Sequence, residues 1–179
     1  FDLPEVQYPA RMNCAAELLD KSLENGWGQN IVIRTPDGQC TYEQLLAQTN
    51  RIANVLVKNM DLKPGNRVLL RGPNNPVMAA CWMAVMKAGG IVVATMPLLR
   101  AKELTEIVTK AKITHALCDK RLQQELVNAL PDCPTLKKIT YWYDDAPDSL
   151  DELCKNASGE FRTVDTSAED VALIAFTSG

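Results

Sequence analysis

The residues best suited to chemistry in this sequence stand at its carboxyl end, where an apolar run gives way to small polar residues. Val171–Phe176 is unbroken and apolar, and Thr177, Ser178 and Gly179 follow it directly. A run of this length and composition predicts a strand buried on both faces of a parallel sheet. Because open α/β sheets bind ligands beyond the carboxyl ends of their strands, the three small residues are placed for ligand contact.

This three-residue tail offers the groups that a bound phosphate requires. Thr177 and Ser178 carry hydroxyl donors, and Gly179 lets backbone N–H groups approach an anion closely. The same composition is also typical of an ordinary turn or a helix cap. The tail is not a Walker loop, which has two Gly residues separated by four others and a Lys after the second Gly. Residue types alone therefore leave phosphate binding and a simple turn both open.

The segments upstream alternate between predicted strands and helices. Helices between the strands predict right-handed βαβ crossovers, and hence an α/β fold whose mainly parallel sheet has flanking helices. The first two strands are an exception, because Pro36-Asp37-Gly38 between them predicts an N-terminal β-hairpin. Predicted strands lie at 31–34, 39–41, 67–71, 91–96, 115–118, 138–142 and 171–176, and predicted helices at 14–23, 42–60, 77–86, 101–112, 120–130 and 150–154.

Local signals fix the start or the environment of several of these elements. Thr41 and Gln44 have the spacing of a capping box at the start of a long helix. Lys63-Pro64-Gly65-Asn66 predicts a type II turn. Asn74 or Asn75 is predicted to cap the next helix. That helix is apolar on every side over Val77–Met86, so we expect it to be buried.

Composition excludes several classes of function. The net charge of −3 gives no electrostatic reason to expect nucleic acid as a partner. The longest apolar run, Val77–Met86, is about half of what a membrane span requires. The first residues lack the basic start and apolar middle of a signal peptide. We therefore expect a cytoplasmic protein without a membrane span.

The six cysteines and the single histidine do not have the spacing of a metal site. No two cysteines form a Cys-x-x-Cys pair, so zinc is not predicted. Cysteines within apolar runs behave as small hydrophobes, and we expect six free thiols. His115 begins a strand and is interpreted as structural. Asp144, Asp145 and Asp148 are consistent either with a cation site or with a solvated acidic loop, and the latter is favoured.

Several stretches resemble, in the same order, motifs of the AMP-forming adenylating enzymes. Thr41–Leu45 is similar to the Thr/Ser-Tyr-x-x-Leu stretch that opens the family's first long helix, and Gly65–Val68 to its Gly-Asp-Arg-Val. Met86–Pro97 is similar to its Lys-Ala-Gly-Gly motif ending in Pro, with Ala94 where many members carry a second Pro. Phe176–Gly179 resembles the opening of the family's phosphate loop. The resemblance covers essentially the whole chain.

The resemblance implies that residues 1–179 are the N-terminal part of an AMP-binding (adenylation) domain, whose remainder and C-terminal lid domain lie outside this sequence. It implies a parent enzyme, an AMP-forming acid–thiol (acyl-CoA) ligase that uses ATP, Mg²⁺ and coenzyme A on a small carboxylic acid. Thr177, Ser178 and Gly179 are the cofactor-binding residues that carry over. No metal ligand and no catalytic residue carries over, so this fragment alone is expected to be inactive.

Two further stretches bear on the substrate. Tyr8–Arg11 with Asn13, and Thr95–Arg100, resemble the branch that contains 2-aminobenzoate–CoA and benzoate–CoA ligases, which implies an aromatic acid. Two alternatives stay open. One is an amino-acid-activating adenylation domain that delivers its product to a carrier protein, and the other is a non-catalytic α/β binding or interaction module. A continuation Thr-Gly-x-Pro-Lys after Gly179 would favour adenylation.

Overall fold

Strands and helices alternate along the chain, as the sequence predicts. The structure is a computed structural model that describes Leu3 and residues 7–177. Within these residues the strands are β1 Ile31–Thr35, β2 Gly38–Thr41, β3 Arg67–Arg71, β4 Ile91–Thr95, β5 His115–Asp119 and β6 Lys138–Trp142. The α-helices are α1 Lys21–Glu24, α2 Tyr42–Lys58, α3 Pro76–Lys87, α4 Ala101–Ala111, α5 Gln123–Ala129 and α6 Leu150–Lys155.

Four parallel strands form the central sheet, in the order β4-β3-β5-β6. The register pairs Arg71, the last residue of β3, with Thr95 on one side and with Cys118 on the other. Helices connect each of these strands to the next, which confirms the predicted βαβ units. Since all four strands run in one direction, their carboxyl ends, at Arg71, Thr95, Asp119 and Trp142, lie along one edge of the sheet.

Helices cover both faces of this sheet. In β3, Val68 and Leu70 belong to a core cluster shared with α2 and α3, whereas Leu69 belongs to a second cluster shared with α4 and α5. Successive strand residues point to opposite faces, so a strand covered on both sides is apolar throughout. The unbroken apolar pattern of β3, β4 and β5 follows from this arrangement.

Helix α3 is buried, as its apolar composition predicts. None of its residues is exposed, and seven of them are buried. Asn75 is the cap: its Oδ1 accepts a hydrogen bond from the N–H of Met78 at 2.8 Å, and Pro76 occupies the first helical position. Pro tolerates this position because its missing N–H has no partner there in any helix.

The predicted hairpin and the capping box that follows it are both confirmed. Strands β1 and β2 pair antiparallel as a separate two-stranded sheet. The N–H of Thr41 donates to Gln44 Oε1 at 2.9 Å, and the N–H of Gln44 donates to Thr41 Oγ1 at 3.3 Å. Gly65 has a φ of +81°, as the third position of a type II turn requires.

The first helix begins where predicted but contains a wider turn than predicted. Oδ1 of Asn13 accepts from the N–H of Ala15 at 3.1 Å, as expected of a cap. A π-helical turn over Ala16–Asp20 then precedes α1. Apolar periodicity gave no sign of the π turn, because the change of spacing is confined to five residues.

The prediction of a buried strand at Val171–Phe176 is wrong. The segment makes one isolated parallel bridge, between Leu173 and Val92 of β4. Val171, Leu173 and Phe176 are exposed by 58%, 45% and 39%. The segment lies beside β4, which is the edge strand of the sheet, and no other strand of the described residues pairs with its outer side. This position explains why its side chains are exposed. Only Ala172 and Ile174 of this segment pack against the core clusters, so the described residues cover it in part.

Among residue 3 and residues 7–177, no helix combines the length and the apolar character needed to cross a bilayer.

Candidate functional site

The segment that precedes the predicted phosphate loop runs toward the carboxyl edge of the sheet. Leu173 lies beside Val92 in parallel orientation, and the N–H of Ile174 donates to the carbonyl of Val92 at 2.9 Å. Thr177 is four residues beyond Leu173, whereas β4 ends at Thr95, three residues beyond Val92. Thr177 is therefore exposed at this edge. Ser178 and Gly179 lie outside the described residues, so their assignment stays a prediction.

The loop that follows β4 lies next to this segment at the same edge. It comprises Met96–Leu99, and we call it the β4–α4 loop. Its side chains Met96 and Leu98 are 62% and 83% exposed. Thr95 anchors the start of the loop, because its hydroxyl donates to the carbonyl of Leu70 at 3.3 Å.

Arg71 holds the β4–α4 loop from inside. Its guanidinium donates to the carbonyls of Met96 at 3.3 Å, Pro97 at 3.1 Å and Leu99 at 2.9 Å, and to that of Leu122 at 3.2 Å. The side chain is 1% exposed, and this burial lowers the pKa of the guanidinium. Sequence reasoning did not single out Arg71. The only available signal was a charged residue at the end of an apolar strand facing the ligand-binding edge.

The carboxylate of Asp119, at the end of β5, is paired with a neighbouring arginine. Its Oδ1 accepts from the N–H and the Nε of Arg121 at 3.0 and 2.9 Å, and its Oδ2 accepts from Nη2 at 2.6 Å. These bonds hold the pKa of Asp119 below its usual range. Because the carboxylate is buried and paired, it is not available as a ligand or a base.

A tryptophan fills the edge above β3. Trp142 stands at the end of β6 and is fully buried. Its ring lies so close to Gly72 that a Cβ added to Gly72 would be 2.3 Å from the nearest ring carbon. The β3, β5 and β6 parts of the edge are thus occupied by protein groups. Thr177 and the β4–α4 loop lie on the β4 side of this edge.

The described residues contain no group of three His, Cys, Asp or Glu side chains that could hold a metal ion. The described residues by themselves therefore provide no complete set of Mg²⁺ ligands. Asp144 of the acidic loop is paired with Lys120 at 2.8 Å, and this contact lowers the pKa of the carboxyl. The arrangement agrees with a surface loop rather than a cation site.

His115 and the cysteines also lack a site environment. His115 is 5% exposed at the amino end of β5, and its Nε2 lies 3.0 Å from the carbonyl oxygen of Met60. This agrees with a structural role. All six cysteines are free thiols in the structure. Burial raises the pKa of Cys118 to about 12, which keeps this thiol protonated and unreactive.

A cleft of about 460 Å³ lies at the opposite, amino end of β4, between Asn13, Pro64 and Val164. The side-chain amide of Asn13 is already bonded within the protein, since its Nδ2 donates to the carbonyls of Met86 at 2.9 Å and Val164 at 3.1 Å. We place the candidate site at the carboxyl edge instead, because ligands of parallel sheets bind there.

Comparison with known proteins identifies the family. The family model described as AMP-binding enzyme matches residues 20–179, so the chain belongs to this family. The resemblance found in the sequence is thereby confirmed. Benzoate–CoA ligase of Thauera aromatica is 25% identical over 176 residues, which cover 98% of this chain and 33% of that protein. Mouse mitochondrial acyl-coenzyme A synthetase ACSM5 is 30% identical over 142 residues, covering 78% and 25%.

Solved structures share the fold. ATP-bound MatB from Rhodopseudomonas palustris superimposes with a TM-score of 0.78 at 28% identity, covering 93% of this chain and 32% of that one. The anthranilate CoA ligase AuaEII in complex with anthranoyl-AMP superimposes with a TM-score of 0.87 at 19% identity, covering 96% and 32%. The chain thus spans about a third or less of the length of these relatives.

Proposed function

We propose that residues 1–179 are the N-terminal part of the AMP-binding domain of an AMP-forming carboxylate–CoA ligase. The observation that carries this proposal is the course of the segment before Thr177, which runs beside β4 toward the carboxyl edge of the sheet in a chain that belongs to the AMP-binding family. The benzoate–CoA ligase and acyl-coenzyme A synthetase relatives support a thioester as the product. The rest of the domain and a C-terminal lid domain belong to the longer parent chain.

The proposed reaction has two steps. First, a carboxylate oxygen of the acid attacks the α-phosphorus of ATP, the bond to the bridging oxygen breaks, and pyrophosphate leaves with that electron pair. Then the sulfur of coenzyme A, having lost its proton, attacks the acyl carbon, and AMP leaves with the electrons of the acyl–oxygen bond. The first step converts a poor electrophile into a good one.

The role proposed for this chain is to hold the departing phosphates. Negative charge moves onto pyrophosphate as the first bond breaks, and preorganised donors stabilise such charge more in the transition state than in the ground state. Thr177, Ser178 and Gly179 supply hydroxyl and backbone donors for this purpose. Mg²⁺ is proposed as a cofactor of the parent.

We propose an aromatic carboxylic acid as the substrate. This is supported by relatives named benzoate–CoA ligase and 3-hydroxybenzoate–CoA/4-hydroxybenzoate–CoA ligase, both from Thauera aromatica.

A cytoplasmic location is proposed as well, and the six free thiols support it because such thiols persist in a reducing compartment.

The test is ATP–pyrophosphate exchange in the full-length parent and in the 179-residue chain, with benzoate, 2-aminobenzoate and a fatty acid. We expect exchange by the parent with an aromatic acid and none by the shorter chain. Thr177→Ala in the parent should slow exchange by roughly 10²-fold, as loss of one transition-state donor does. Thr109→Ala, at an exposed position of α4, is the matched control and should change nothing.

Three outcomes would contradict the proposal. Exchange by the 179-residue chain would mean that the site is elsewhere. No exchange by the parent with any carboxylic acid would favour a non-catalytic binding module. Transfer of the acyl group to a carrier protein, and not to coenzyme A, would favour the amino-acid-activating alternative.

A further inference from the structure

The segment that leads to Thr177 is attached to the beginning of the chain as well as to the sheet. At the sheet, the N–H of Val92 donates to the carbonyl of Ala172 at 3.0 Å, and the N–H of Ile174 donates to the carbonyl of Val92 at 2.9 Å. These two bonds join the segment to a single residue of β4. The other attachment is made by residues 10–13, which we call the N-terminal segment.

The N-terminal segment pairs antiparallel with the chain just before the segment that leads to Thr177. The N–H of Met12 donates to the carbonyl of Thr166 at 2.9 Å, and the hydroxyl of Thr166 donates to the carbonyl of Met12 at 2.7 Å. The N–H of Ala168 donates to the carbonyl of Ala10 at 3.0 Å. Met12 and Thr166 are 154 positions apart, so this pairing forms only when most of the chain has folded.

Two side chains of the N-terminal segment reinforce the pairing. The Nε of Arg11 donates to the two carboxylate oxygens of Asp165 at 3.0 and 3.1 Å, and its Nη2 donates to the carbonyl of the same residue at 2.8 Å. Nδ2 of the buried Asn13 donates to the carbonyl of Val164 at 3.1 Å. Arg11 and Asp165 are largely exposed, so their charges contribute little. The planar guanidinium instead holds a side chain and a backbone group in one arrangement.

A closed turn connects this pairing to the sheet. The N–H of Ser167 donates to Oδ2 of Asp170 at 2.8 Å, and the N–H of Asp170 donates to the carbonyl of Ser167 at 3.1 Å. The N–H of Glu169 donates to Oγ of Ser167 at 3.2 Å. Side chains of this kind fix a turn by bonding to nearby backbone groups. Ala172, which bonds to β4, is only two residues beyond the turn, so a displacement of the pairing is passed on to the segment.

We propose that the N-terminal segment is a positioning element for carboxylate activation: by holding residues 164–168, it sets the position from which Thr177 meets the departing phosphates. The proposal rests on the proposed function. The N-terminal segment borders the cleft at the amino end of β4, opposite the carboxyl edge, so it acts through the segment it pairs with. Donors stabilise a transition state only while their positions are fixed. Because Thr177 is assigned to the phosphates, loss of the pairing lowers kcat and leaves KM for the acid unchanged.

The test combines Arg11→Gln with Thr166→Val in the full-length parent. Arg11 is exposed and Thr166 is half-buried, so we expect this variant to fold. Amide hydrogen exchange within residues 171–177 should become faster, because local opening follows the loss of bonds that hold a segment. In ATP–pyrophosphate exchange with benzoate, kcat should fall roughly tenfold, since small misplacements near a reacting group have large effects. If the double variant fails to fold, the two single variants are measured in the same way.

A conservative variant and a matched control accompany it. Arg11→Lys combined with Thr166→Ser keeps a cation and a hydroxyl, so it should recover most of the rate and of the protection from hydrogen exchange. Lys155→Gln breaks another exposed ion pair, with Glu152 on α6. It should change neither kcat nor hydrogen exchange within residues 171–177.

Asn54→Ala separates positioning from stability. The buried amide of Asn54 donates to the carbonyls of Ser158 and Glu160 at 3.1 and 2.9 Å, so it holds the same connection at a point farther from Thr177. We expect this variant to lower the melting temperature at least as much as the double variant does. Its kcat and the hydrogen exchange of residues 171–177 should match those of the wild type.

The outcomes distinguish this proposal from the function on which it rests. Unchanged hydrogen exchange within residues 171–177 of the double variant would show that the N-terminal segment does not hold them, whether or not the parent is active. Faster hydrogen exchange with unchanged kcat, or an equal loss of kcat in Asn54→Ala, would leave the N-terminal segment with a structural role only. If the wild-type parent activates no carboxylic acid, the proposed function fails and the positioning role fails with it, while hydrogen exchange still reports on the pairing.

Discussion

Lys87 and Asp20 form an ion pair in which the lysine is completely buried. The ammonium group lies 2.7 Å from both carboxylate oxygens of Asp20, whose side chain is 32% exposed while that of Lys87 is 0% exposed. The pair joins the π-helical turn to the end of α3. The lysine has lost its hydration, so the carboxylate is its main source of stabilisation.

Asp20→Asn should therefore destabilise the fold. The substitution leaves a buried ammonium without a counter-charge, and we expect the free energy of unfolding to fall by about 2 kcal/mol. This figure is below that for a fully buried pair because Asp20 is partly hydrated. Urea unfolding followed by tryptophan fluorescence measures it. Lys21→Gln, which breaks an exposed pair with Glu17, should cost less than about 0.5 kcal/mol, and an equal loss in both variants would contradict the prediction.

Gly72→Ala should also be destabilising, because Trp142 occupies the space that a methyl group needs. The new Cβ would lie 2.3 and 2.9 Å from two ring carbons of a fully buried tryptophan. Overpacking of this kind costs about 1–3 kcal/mol. The same unfolding experiment is the measurement, with Gly38→Ala as control, since no atom lies within 4 Å of a Cβ there. Equal stability of the Gly72→Ala variant and the wild type would mean that the ring can move aside.

The single histidine should make stability depend on pH. Burial lowers the pKa of His115 below its ordinary value of 6.5, although its hydrogen bond to the Met60 carbonyl opposes this, and Lys138 lowers it further. The unfolded chain then binds a proton at higher pH than the folded chain, so stability falls as the pH drops below 6.5. Urea unfolding between pH 6.5 and about 5, above the range of most carboxylates, should show this slope. His115→Gln should flatten it, and an unchanged slope would assign the effect to other groups.

The thiols should differ in reactivity according to burial. Cys81 and Cys118 are fully buried with raised pKa values, whereas Cys14 and Cys40 are partly exposed. With iodoacetamide at neutral pH, we expect the partly exposed thiols to be modified first and Cys81 and Cys118 only after unfolding. Mass spectrometry of the unfolded, unreduced chain should show six modified thiols. Fewer would reveal a disulfide and contradict the proposed cytoplasmic location.

Elements with a local chemical signature could be predicted from the sequence. Thr41 with Gln44, and Asn75 with Pro76, begin helices through contacts within three residues, so their spacing alone is informative. The family motifs likewise led to Thr177 as part of the candidate site. Each of these inferences depended on neighbours along the chain.

Features that depend on distant residues could not be predicted. Arg71 bonds to carbonyls 25 to 51 positions away, so its role emerges only once the order of the strands is known. The same holds for Trp142 above Gly72. The exposure of Val171–Phe176 escaped prediction for a related reason, since an apolar run does not reveal which neighbours cover it.

The strand order has a consequence for how the protein is made. The central strand β3 precedes the other three strands of this sheet in the chain, and β4 and β5 then pair with its two sides. Strand β6 adds to β5, and the segment around Leu173 adds to β4. Each of these later elements pairs with a free edge of the sheet, and none has to insert between strands that are already paired. As the chain emerges from the ribosome from its amino end, the sheet can grow outward from β3 without ever being reopened.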